Sequence, residues 1–215
     1  IMYTPVNGKY KKNLFRTIGV DWDKFGASSS ILVLDYDMEW SKFRVIKRIE
    51  VPKSQYTYDN AVKLIIQLNE IYNPSWIYVD AGSGEYQIET LHKYGEEHPE
   101  TGLHNKVVRR QFKESIEVPD PVKKTTIKQP MKPFMVSQLQ RAFEQERIIL
   151  SPFDEVLHKQ LVDYEIERIS QNGDPIFTSK NEHFIDALGL AYLAFVLEFP
   201  DLTKGIETIK NTSKM

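Results

Sequence analysis

Hydrophobic positions near the start of the chain alternate rather than cluster. Residues 17–21, 30–35 and 43–51 are three runs of strand character, joined by short links rich in Gly, Ser, Asp and Trp. Consecutive strands with such short links predict an antiparallel meander. In the third run Phe43, Val45, Ile49 and Val51 fall on one face and Arg44, Arg48 and Glu50 on the other, the half-exposed pattern of an outer strand. The period then changes. Ala61, Leu64, Ile65, Leu68, Ile71 and Tyr72 recur at the spacing of one helical face, and the pattern stops before Pro74. Next, "WIYVDAGSGEYQIETLHKY" predicts a buried strand ending at Asp80, a Gly/Ser turn and a second helix, so a parallel crossover is expected.

A further strand is expected over 106–112, followed by a basic, proline-punctuated segment, 118–133, that reads as a surface loop. Pro133 suits the first position of a helix carrying Met135, Leu139, Ala142 and Phe143. Another helix is expected from about residue 151. Asn172-Gly173 between two strand-like runs then predicts a hairpin, and Ser179 with Glu182 forms a capping box for the final helix. That helix is apolar on every face, with Phe184, Ile185, Leu188, Leu190, Tyr192, Leu193, Phe195, Val196 and Leu197, which is the signature of a buried helix. Yet it carries Asp186, placed by the cap about two turns inside. A buried carboxylate has to be paired, protonated or bound to a cation.

Length and composition narrow the picture. With 215 residues, 41% hydrophobic and 12% aromatic, the chain suits one well-packed domain. Residues 1–14 read as a linker or the cut edge of something longer, 15–200 as the domain, and 201–215 as a tail. The uncharged run 187–197 falls short of the roughly 20 residues of a membrane span, and no targeting signal opens the chain, so a soluble, cytoplasmic protein is expected. There is no cysteine, which excludes disulfides, thiolate metal sites and thiol nucleophiles. The net charge of −2 hides an asymmetry: from Lys106 to Lys132 eight basic residues face three acids, making this segment +5 and the remainder −7. A basic strip beside an acidic pocket and a merely solvated lysine-rich loop both fit that distribution.

The acids gather at the ends of elements. In "RTIGVD", Ile18 and Val20 point to one sheet face while Gly19 and Asp21 point to the other, leaving room beside Asp21. Asp80 ends its strand in the same way and can lie alongside. Asp186 becomes the third carboxylate if the last helix crosses that edge, with Glu182 and His183 on the same flank. Asp23 is a further candidate at one remove, as are Glu182 and His183, the histidine as a proton carrier. Three carboxylates without cysteine select hard cations, Mg²⁺ or Mn²⁺. A pair of such ions points to metal-assisted phosphodiester hydrolysis. Each acid alone has a plainer reading: a strand-ending aspartate is usually a turn former, and Glu182 completes the cap.

The order of these elements and acids resembles the ribonuclease H-like nuclease superfamily. The implied fold is α/β: a central mixed sheet of three antiparallel strands followed by parallel strands, flanked by helices, with an extra β-hairpin before the last helix. Within it, "IGVDWDKFGASSSILVLD", "IYVDAGSGEYQIETL" and "NEHFIDALGLAYLAF" are similar to the C-terminal nuclease domain of the large terminase subunit of tailed bacteriophages. The resemblance implies Asp21, Asp80 and Asp186 as catalytic, metal-binding acids, Mg²⁺ or Mn²⁺ as cofactor, and an endonuclease cutting double-stranded DNA in the host cytoplasm to leave 3′-hydroxyl ends. Arg109, Arg110, Lys123, Lys124 and Lys128 are expected to grip DNA phosphates. Implied partners are DNA, the packaging ATPase domain, the portal and the small terminase subunit. The chain contains no G-x-x-x-x-G-K-[ST] phosphate loop, so ATP hydrolysis is not assigned to it. Two other readings stay open: a non-catalytic module docking on DNA or a capsid protein, and an actin-like or sugar-kinase fragment whose first strands would hold ATP phosphates.

Overall fold

The computed structural model describes residues 15–22, 29–82, 84–119, 125–169, 175–178 and 183–203. Its centre is a six-stranded sheet in the order β5-β4-β1-β2-β3-β8. Strands β1 (Arg16–Asp21), β2 (Ser29–Asp37) and β3 (Lys42–Val51) form the expected meander. Strand β4 (Trp76–Asp80) joins β1 in parallel after the helix α1 (Tyr58–Tyr72). Strand β5 (Val107–Arg110) joins β4 in parallel after α2 (Glu85–Glu97) and the short α3 (Leu103–Lys106). This is the mixed antiparallel-then-parallel sheet that the sequence implied.

Alternation along the strands splits the core in two. Ile18, Val20, Ile31, Val33, Ile77 and Val79 face α1 and α2. Leu32, Leu34 and Tyr78 face the opposite side, where α4 (Met131–Glu144) and α6 (His183–Glu198) lie. Burial on both faces explains why the central strands read as nearly unbroken apolar runs. Helix α6 is buried from Phe184 to Phe195, as a helix apolar all round must be. No helix among the described residues is long and apolar enough to cross a membrane.

Several expectations change. Residues 118–133 are not a loop throughout: β6 (Ser115–Pro119) and β7 (Thr126–Pro130) pair as an antiparallel hairpin. Ile116 and Val118 pack beneath Met131 and Met135, and that burial, hidden in the sequence by flanking lysines and prolines, is what orders the segment. Helix α4 accordingly starts at Met131, with Pro133 third. Strand β3 is not a free outer edge, because β8 (Ile148–Ile149) pairs with Phe43 and Arg44. A register shift opposite Val33/Leu34 also turns Ile46 into the α1/α2 core, while Phe43 stays on the α6 side. Helix α5 (Glu155–Asp163) begins at an Asp154 cap rather than near residue 151. The hairpin before α6 is present as β9 (Glu165–Ile169) and β10 (Pro175–Thr178), although Asn172-Gly173 lies outside the described residues, as does the Ser179/Glu182 cap. The chain folds on through α7 (Pro200–Thr203), whose Leu202 and Thr203 carbonyls accept from Arg147.

The contact that seats α6 on the sheet is at Gly19. A Cβ there would lie 1.9 Å from the Ala187 carbonyl oxygen and 2.5 Å from the Ala191 nitrogen. Two residues earlier on the strand, the Thr17 hydroxyl donates to the Ala191 carbonyl at 2.7 Å. Gly19→Ala should therefore push helix from strand and destabilise the fold by about 3 kcal/mol or more, measured by urea unfolding. A loss below about 1 kcal/mol would contradict this packing.

Candidate metal and nucleic-acid site

Strand register puts the first two acids side by side. Val20 is paired in parallel with Val79, and Asp21 and Asp80 each follow by one residue. By alternation both point to the α6 side; the room the sequence left beside Asp21 at Gly19 is taken up by the α6 backbone at Ala187 and Ala191. Helix α6 supplies the rest. His183 Nδ1 lies 2.8 Å from Asp21 Oδ2, the geometry of an N–H donated to a carboxylate, and Asp186 is buried at 3% exposure. Helix α6 is described from His183, and Asp186 lies three residues further on.

A residue without any mark in the sequence completes the cluster. Lys132, at the start of α4, places Nζ 3.0 Å from Asp186 Oδ2 and lies over the Phe112 ring at 5.0 Å from its centre. Its charge also reaches Asp80. Burial raises the Asp80 carboxyl from its ordinary 3.8 to about 6; the Gly82 N–H donated to Oδ1 opposes the rise, Asp21 adds to it, and Lys132 opposes it. One ammonium thus serves two acids. In the sequence Lys132 was one of eight basic residues in a row of mixed charges, and only the packing of α4 on α6 singles it out.

The other predicted residues separate. Arg109 is exposed and ion-paired with Glu85 at 2.7 Å and Glu114 at 3.4 Å. Arg110, opposite Asp80 in the sheet register, donates to the Tyr78 hydroxyl at 2.8 Å, and that hydroxyl donates to Glu198 at 2.5 Å. Lys128 is exposed on β7. Asp23, Glu182, Lys123 and Lys124 lie outside the described residues.

Three buried carboxylates are a hard oxygen donor set that fits Mg²⁺ or Mn²⁺. Among the described residues no three acid or histidine side chains already converge on a single point able to hold an ion. Lys132 occupies the cationic role between Asp186 and Asp80, and any ion would share the acids with it.

No protein-family model matches the chain, and no curated protein matches it. Solved structures do. The large terminase nuclease from the thermophilic phage G20c is similar with a TM-score of 0.57 at 19% identity, over 83% of this chain and 81% of that one. The g2p large terminase nuclease domain of bacteriophage SPP1, with bound Mn, is similar with a TM-score of 0.51 at 17% identity, over 83% and 85%. A large terminase from a second thermophilic bacteriophage, in complex with ATP-γ-S, has a TM-score of 0.57 at 12% identity; the match covers 84% of this chain and 40% of that one. At these identities the likeness establishes the fold: this chain has the ribonuclease H-like fold of large terminase nuclease domains.

Two measurements probe the electrostatics. A raised Asp80 pKa means that the folded protein holds this proton more tightly than the unfolded chain does. Its stabilising effect is complete below about pH 4 and is lost as pH rises through about 6. In chelator, the advantage of Asp80→Asn over wild type should grow between those limits by up to about 3 kcal/mol in unfolding free energy; a pH-independent difference would contradict the assignment. Lys132→Met leaves the Asp186 charge buried without its ammonium. It should cost roughly 2–4 kcal/mol in chelator, by chemical denaturation, and a silent variant would show that the pair does not hold the site.

Proposed function

We propose that this chain is a divalent-metal-dependent endonuclease acting on double-stranded DNA during viral genome packaging. The supporting observation is that Asp21 and Asp80 end two adjacent parallel strands and act on each other's charge, and that Lys132, ion-paired with the buried Asp186 of α6, also acts on Asp80. A structural acid needs one partner; three buried acids grouped around Lys132 and His183 form a site suited to further positive charge. The fold shared with terminase nucleases supports the same reading.

Asp21, Asp80 and Asp186 would hold the metal. Mg²⁺ or Mn²⁺ held by these acids would supply Lewis-acid chemistry for phosphodiester hydrolysis. His183 fixes the Asp21 carboxylate in one orientation and offers its ring for proton movement at that oxygen. Lys132 fixes Asp186 and presents a positive charge to an incoming phosphate. Lys128, with Lys123 and Lys124, would carry the duplex through its phosphates, with affinity falling as salt rises. Arg109 and Arg110 already have protein partners and would have to exchange them for DNA. The nuclease unit would span 15–200. It would work in the host cytoplasm beside a packaging ATPase domain, a portal and a small terminase subunit.

The deciding experiment is cleavage of supercoiled plasmid by wild type and by Asp21→Asn, Asp80→Asn and Asp186→Asn, each with Mn²⁺, Mg²⁺ or chelator. Wild type should nick and linearise only with metal, and each variant should lose at least about a hundredfold in rate, the scale of a lost metal contact. Calorimetric titration with Mn²⁺ should lose heat in the same variants. Full cleavage by all three would refute the site, and DNA binding without metal-dependent cleavage would favour the docking module.

A further inference from the structure

The end of the sheet that carries the acids also carries a row of aromatic rings on its other side. Asp21 and Trp22 are neighbours in sequence, so alternation sends the acid toward α6 and the indole toward α1 and α2, where Trp22 joins the core. From Trp22 the rings continue outward: Trp22 to Tyr56 at 6.1 Å between centroids, Tyr56 to Tyr58 at 6.1 Å, Tyr58 to Tyr86 at 5.4 Å. The first is 2% exposed, and the last two are 41% and 53% exposed. The row therefore begins behind a catalytic candidate and ends in solvent.

Its position follows from topology. Ser30 pairs with both Asp21 and Glu50, and Asp80 pairs with Arg110, so the ends of β1, β3, β4 and β5 lie along one edge. Helix α1 begins just after β3 and α2 just after β4, which brings Tyr58 and Tyr86 to that edge in their first turns. Gly84 ties the two sides together. A Cβ there would lie 2.3 Å from Trp22 Cδ1 and 2.6 Å from the Asp80 carbonyl oxygen, so only a glycine lets the acid's strand and the indole meet. Tyr56 is pinned by the Gln87 amide, which donates to its hydroxyl.

A pair of exposed rings in mutual contact asks for a flat apolar partner. The flanking charges decide which part of DNA that is. Asp59 follows Tyr58, while Glu85 beside Tyr86 is ion-paired with Arg109 at 2.7 Å, so these neighbours carry no net positive charge for a phosphate and leave the uncharged face of a base unaffected. A base inside a duplex has both faces occupied, so away from a duplex end only an unpaired base can stack here. We propose that Tyr58 and Tyr86 form a stacking platform for an unpaired nucleobase of the strand whose phosphate sits at Asp21, Asp80 and Asp186. This rests on the nuclease reading and narrows its substrate: DNA opened, frayed or branched beside the cut is held better than intact duplex.

The test uses the full chain carrying Asp186→Asn to suppress cleavage, in Mg²⁺ at low salt. The ligands are a short single-stranded oligonucleotide containing 2-aminopurine and the same sequence in the middle of a duplex long enough that its ends are a small fraction of the binding positions. Anisotropy reads affinity and 2-aminopurine fluorescence reads stacking. Tyr58→Ala with Tyr86→Ala should weaken single-strand binding roughly 5- to 100-fold and abolish quenching, with little change on duplex. Phenylalanine at both positions should restore both signals, since the ring and not the hydroxyl is needed. Equal single-strand affinity and quenching in the alanine variant would overturn the platform, as would an equal loss on duplex or failure of the phenylalanine variant. Unchanged thermal unfolding of the variants keeps the result from being one of misfolding. Failure of the nuclease reading shows separately, as intact plasmid in the cleavage assay while quenching by the rings persists.

Discussion

The seating of α6 on β1 at Gly19 is the constraint on which the rest of the structure depends. With Ala187 and Ala191 on the helix and no side chain on the strand, backbone meets backbone, and the Thr17 hydroxyl locks the rise of the helix by its bond to the Ala191 carbonyl. The position of Asp186 follows from that contact, because it lies one residue before Ala187, as does the reach of His183 to Asp21. A larger residue at 19 would move the third acid and the histidine together. Asp21, Asp80 and Asp186 are all buried, so their charges are poorly screened.

Strong fields without solvent make the site costly for the apo protein and useful for a cation. Asp80 responds by holding its proton more tightly, and Asp186 by pairing with Lys132. Lys132 is placed by the β6–β7 hairpin and by the burial of Met131 and Met135 under α6, so the folding of that hairpin and the electrostatics of the site are parts of one arrangement. Hydrophobic burial positions the ammonium; Coulomb attraction alone would leave a lysine free to choose among many acids.

How much of this could be read beforehand depends on whether the signal was local. Helix α6 was legible because apolar residues on every face have one common explanation, and the meander because its strands are long with short links. Asp21 and Asp80 could be placed side by side because strand alternation and a parallel crossover are sequence-level rules. The β6–β7 hairpin was missed since prolines and lysines outvoted Ile116, Val118 and Ile127, whose alternation was the signal present. Strand β8, with two residues, is too short for any period to show. Lys132 is the instructive miss: its role comes from a partner 54 positions away, and no spacing rule on its own helix points there.

The two faces of the acidic edge also explain a feature that polarity alone leaves puzzling, the negative balance of a chain proposed to cut DNA. Basic residues are dense from Lys106 to Lys132, while on the α1 and α2 side Asp59 flanks Tyr58 and Glu85 beside Tyr86 is balanced by Arg109. A uniformly basic edge would hold duplex in many registers through its phosphates. In the proposed reading a basic side and an aromatic side would divide the work, phosphates being drawn to the first and offered no net positive charge at the second. Under the proposed platform a strand crossing the edge would turn its phosphate toward the carboxylates and an unpaired base toward Tyr58 and Tyr86, and to do so it would have to part from its complement beside the cut.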